Sequence, residues 1–147
     1  MSRMALTKVV FFLLVLSGSA VAQSGNGRLD TGGCSNHILF GDYGMQIEGI
    51  VLGPNLPLRT VSMGHFDGTG NLSEVSYVVL NGMIPTEEWR PSTATYTVNP
   101  NCTGVVTFNT PPGAPPLVFH FVLVKHGTEF RGVVDQSEIT VNGYRVD

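Results

Sequence analysis

LRTVSMGHFDGTGNLSEVSYVVL, residues 58–80, carries the pattern that decides the fold. Two β-rich runs, 58–67 and 72–80, flank Gly68-Thr69-Gly70-Asn71. Glycine accepts positive φ, and Asp and Asn bond to nearby backbone, so this tetrapeptide reads as a tight hairpin turn. Neither run repeats its apolar residues at the spacing of a helix. The same grammar continues upstream. In YGMQIEGIVL, 43–52, Tyr43, Met45 and Ile47 share one face and Gln46 and Glu48 the other, until Gly53-Pro54-Asn55 ends the run. Downstream come a weaker run at 83–90, then STATYTV at 92–98, ended by Asn99-Pro100-Asn101. TGVVTFN at 103–109 precedes a stiff, extended PPGAPP loop at 111–116. LVFHFVLVK, 117–125, is apolar on both faces, and runs at 129–135 and 138–145 close the series. Short links between such runs favour sequential antiparallel pairing. The expected fold is therefore all-β: a small antiparallel meander barrel of eight or nine strands, closed because closure removes sheet edges. A two-sheet β-sandwich is the alternative, since strand spacing does not separate the two.

The N-terminus has a different grammar. Arg3 and Lys8 precede an unbroken apolar run, VVFFLLVL, at 9–16. Ser17-Gly18-Ser19 and then Ala20-Val21-Ala22 follow, with small residues three and one before Gln23. This is the order of a secretory signal, and the run is shorter than the roughly 20 residues a bilayer span needs. The reading is a cleaved signal at 1–22, a flexible polar segment at 23–36 and one barrel domain at 37–147. The mature chain is then secreted or periplasmic, with no membrane anchor.

Removing Arg3 and Lys8 leaves 6 basic against 11 acidic residues. That balance lacks the basic footprint of a nucleic-acid binder. The charged fraction is 13%, about half the usual share, and Thr, Ser, Asn and Gly supply the polarity instead. Cys34 and Cys102 are the two cysteines. In an oxidising compartment they pair, and the bond is worth roughly 4 kcal/mol by chain entropy.

Motifs for chemistry are few. Asp67-Gly-Thr-Gly-Asn71 lacks the further acidic ligands of a calcium loop and reads as a turn. His37, His65, His120 and His126 form no closely spaced ligand pair, and no metal or other cofactor is expected. GxSxG, HExxH and phosphate-loop patterns are absent from the mature sequence. Glu48 and His120 interrupt otherwise apolar strands and are the two candidates for an inward acid or base.

Three segments appear in order: Phe40-Gly-Asp-Tyr-Gly44, Gly64-His-Phe-Asp-Gly-Thr-Gly-Asn71 and Tyr96-Thr-Val-Asn-Pro-Asn-Cys-Thr-Gly104. Over roughly residues 34–135 the chain resembles exported bacterial proteins of unknown function that carry a Y-T-V-N-P-x-C-T-G motif. That pattern usually has Asp where Asn101 stands here. Such proteins are similar to allene oxide cyclase-like, calycin-type β-barrels. The resemblance implies a small barrel with an apolar interior; it brings no catalytic residues and does not imply cyclase activity.

Three functions follow as expectations, in this order. The first is a binding module taking a small apolar ligand, lined by Tyr43, Met45, Phe66, Tyr96 and His120. The second is a structural or surface-interaction protein using the neutral exterior. The third is a cofactor-free isomerase or cyclase in which Glu48 or His120 moves a proton. Ligand identity and oligomeric state have no signature in the sequence.

Overall fold

The computed structural model describes residues 33–146. The signal at 1–22 and most of the polar segment after it lie outside these residues. A short 3-10 turn, Asn36–Ile38, leads into eight strands. These are β1 (Phe40–Val51), β2 (Leu56–Asp67), β3 (Asn71–Leu80), β4 (Arg90–Val98), β5 (Thr103–Phe108), β6 (Val118–Val124), β7 (Glu129–Val134) and β8 (Glu138–Val146). Each pairs antiparallel with the next, and β8 returns to β1, so the sheet is a closed meander barrel. The weaker run at 83–90 forms no strand of its own. Only its last residue, Arg90, belongs to a strand, as the first residue of β4; the other ladder contact is a single bridge between Leu80 and Met83, and Pro85 lacks an N–H to continue one.

The meander gives the barrel two unlike ends. The 3-10 turn and the links β2–β3, β4–β5 and β6–β7 gather at one end. The links β1–β2, β3–β4, β5–β6 and β7–β8 gather at the other. The first end is closed. Leu39 is fully buried there, and the Tyr96 hydroxyl donates to its carbonyl at 2.9 Å. Val98 N donates to Asn36 Oδ1 at 2.8 Å, and Cys34 is disulfide-bonded to Cys102 with Cα atoms 5.0 Å apart. The Tyr43 hydroxyl donates to the Gly127 carbonyl from inside the barrel.

Aromatic rings fill this closed half. Phe66 meets Tyr43 and Tyr96 edge-on, at centroid distances of 5.2 Å and 5.1 Å. Phe130 lies against Tyr43, Phe66, Phe119 and Phe121. Rings of that size fit because the residue paired with each on the neighbouring strand is a glycine. A Cβ on Gly143 would fall 2.1 Å from the Phe130 ring, and one on Gly104 would fall 2.2 Å from the Phe121 ring. The glycines let the rings lie flat on the backbone.

No helix among the described residues is long and apolar enough to cross a membrane.

Candidate functional site

The open half of the barrel is not filled. A cavity of about 370 Å³ lies between its walls. One wall is apolar, with Phe108, Phe119, Val134, Ile139 and Val141 from β5 to β8. The other carries Thr60, Glu74, Ser76 and Ser92 from β2, β3 and β4. The cavity mouth includes Leu117, which is exposed, and the proline-rich link from β5.

The polar wall arises from strand register. Phe66 pairs with Leu72 across the hairpin, and both side chains are buried. Period-two alternation then turns Gly64, Ser62 and Thr60 inward on β2, and Glu74 and Ser76 inward on β3. The more apolar set points out: Val61 is 53% exposed, Met63 43% and Val75 41%. The hairpin is thus inverted relative to its hydrophobicity. The Asp67 carboxylate locks it in this register by accepting from the backbone N–H groups of Thr69, Gly70 and Asn71 and from both their side chains' donors at Thr69 and Asn71. Those bonds hold its carboxyl well below the usual carboxylate range, the Thr69 hydroxyl first among them. They also use up the oxygens that a cation would need.

Glu74 is the centre of the polar wall. The residue is 9% exposed. Ser92 Oγ donates to its Oε1 at 3.0 Å. Its Oε2 is buried without a hydrogen bond of normal geometry among the described residues, and the hydroxyl beside it is that of Ser62, itself buried and otherwise unbonded. Burial pushes the Glu74 carboxyl above its ordinary value, only partly offset by the hydroxyls of Ser92 and Ser62. Arg90 also lines the cavity, but its guanidinium is exposed and pairs with Glu87 at 3.7 Å.

The residues expected to line a site are separated by the structure. Met45 does line the cavity. Tyr43, Phe66 and Tyr96 are buried, yet they pack against one another in the closed half and none of them lines this cavity. His120 and Glu48 are corrections. His120 falls at an outward position between Phe119 and Phe121, its side chain is 61% exposed, and Nδ1 lies 2.8 Å from Asp135. Glu48 alternates outward from Ile47, is 42% exposed and pairs with Arg59 at 3.5 Å. Neither reaches the interior. The outward face of β6 is apolar without being covered, as exposed Val122 shows.

No family model, curated protein or solved structure matches this chain. The geometry therefore has to carry the functional reading alone.

A second polar row crosses the outer surface. Asp42, His65 and Ser73 stand side by side on β1, β2 and β3, and His65 Nδ1 lies 2.7 Å from Asp42 Oδ1. No hydrogen bond joins His65 to Ser73, so the row lacks an activated hydroxyl. Asp67, next but one to His65 on β2, is spent on its own turn. Among the described residues no three His, Cys, Asp or Glu side chains gather as a metal site.

Proposed function

We propose that this protein is an exported binding barrel that takes a small, mainly apolar molecule into the open half of its interior. The observation that carries this reading is the 370 Å³ cavity with one apolar and one polar wall. Its volume falls in the range of small-molecule sites, and an apolar lining with a few placed polar groups is their usual composition. The buried Glu74 carboxyl supports it further, because its Oε2 makes no hydrogen bond of normal geometry within the protein and a ligand can supply a partner. The signal-like N-terminus and the Cys34–Cys102 bond support an oxidising compartment outside the cytoplasm. The resemblance of the sequence to calycin-type proteins implies a small barrel with an apolar interior, and a closed eight-stranded meander is a barrel of that size. The motif segments 40–44, 64–71 and 96–104 all fall in the closed half, so that likeness speaks to architecture and not to the ligand. An isomerase using Glu48 or His120 is not supported, since both face solvent.

Titration with Nile red tests the proposal. The protein should show saturable binding at one site. Val78→Trp places an indole in the cavity and should abolish that binding while the melting transition stays cooperative. No binding by the unaltered protein would overturn the reading, and so would unchanged binding by a folded Val78→Trp variant.

A further inference from the structure

Glu74 suggests what kind of molecule the cavity takes. Among the described residues it is the only acidic side chain lining the cavity, and the one other charged lining group among them, Arg90, is turned to the rim and paired with Glu87. We propose that the cavity selects an apolar molecule bearing one protonated amine, seated with its nitrogen on Glu74. This rests on the cavity being the ligand site.

The donor and acceptor inventory points this way. Once ionised the carboxylate only accepts, and its Oε2 has just the Ser62 hydroxyl beside it. An ammonium brings up to three N–H donors and a full charge. Oε2 takes one donor, and the hydroxyls of Thr60 and Ser76 on the same wall can accept others. A charge-assisted bond in a site shielded from water is stronger than a neutral one. An alcohol offers one donor without charge, and a fatty acid would set a second carboxylate beside the first. The apolar wall of Phe108, Phe119, Ile139 and Val141 takes the rest of the molecule.

The proton balance is simple. With no ligand, burial favours the neutral Glu74 carboxylic acid. When the amine arrives already protonated, the Glu74 proton leaves to solvent. When it arrives neutral, that proton passes to the nitrogen. Either way the bound state is an ammonium–carboxylate pair. The elements packed against Glu74 bring no competing charge: β2 faces it with Thr60, Ser62 and Gly64, and β4 with Ser92 and, at the rim, the paired Arg90.

Isothermal titration with octylamine, 1-octanol and octanoate tests the choice. Octylamine should bind about tenfold tighter than 1-octanol, the size of one charge-assisted bond. Glu74→Gln keeps the shape and removes the charge; it should cost octylamine about tenfold and so remove its advantage over 1-octanol. Without any variant, octylamine affinity should rise as pH climbs above the ordinary carboxyl value of 4.5 and through the raised one of Glu74, while 1-octanol responds less. Equal binding of amine and alcohol, tighter binding of octanoate, or an octylamine affinity flat with pH would overturn the amine assignment and leave the cavity reading standing. Failure of all three compounds to bind would overturn both.

Discussion

Glu74 shows how one side chain can be read as both a cost and a function. A carboxyl whose value is raised by folding binds its proton more tightly in the folded state. Its contribution to stability is complete below its ordinary value of 4.5 and is lost as pH rises through the raised folded value. Glutamine has no proton to lose. Glu74→Gln should therefore match the unaltered protein near pH 4 and exceed it in stability by a margin that grows toward pH 8, as read from urea midpoints without ligand. A constant margin across that range would mean that the carboxyl is not buried as described. Asp67 has the opposite sign, since its turn bonds depress its value, and it is unchanged in this comparison.

At the scale of elements, packing depends on pairs of one ring and one glycine. Gly143→Ala puts a methyl where the Phe130 ring lies, 2.1 Å from its nearest atom, in a closed half that has no slack. The expected cost is about 1–3 kcal/mol, as for other overpacked cores, measured as a shifted denaturant midpoint. Elements are also where the sequence is most and least legible. All eight strands correspond to runs visible in the chain, because turns such as 68–70 and 99–102 carry Gly, Asn and Pro. The extra run at 83–90 misleads because Met83, Ile84 and Trp89 are apolar without being buried. The site was hidden for a related reason. In 72–80, Val75, Tyr77 and Val79 look like the core face, but the register set by Phe66 and Leu72 turns Glu74 and Ser76 inward. The usable signal was the turn: Asp67 fixes the hairpin, and counting from Phe66 across it yields the parity of β3. The same counting on β6 places His120 between two inward phenylalanines and hence outside.

The whole molecule divides labour between its ends. The disulfide, the Asn36 and Tyr96 hydrogen bonds and the ring stack all belong to the closed half, and the cavity belongs to the other. Replacing both Cys34 and Cys102 by serine removes a cross-link over a sequence separation of 68. The expected loss is roughly 4 kcal/mol by chain entropy, measured by chemical denaturation. Because the bond lies far from the mouth, Nile red binding by the folded variant should persist. A loss of binding in a variant that still melts cooperatively would show that the two ends are coupled.

One further consequence follows from the even number of strands. β1 starts and β8 finishes at the closed end, where Asp42 pairs with Val146. Anything attached beyond either strand, whether a surface, a bead or a fusion partner, therefore hangs from the base of the cup. Immobilised by that side, the barrel presents its opening outward, which is the orientation a capture sensor requires.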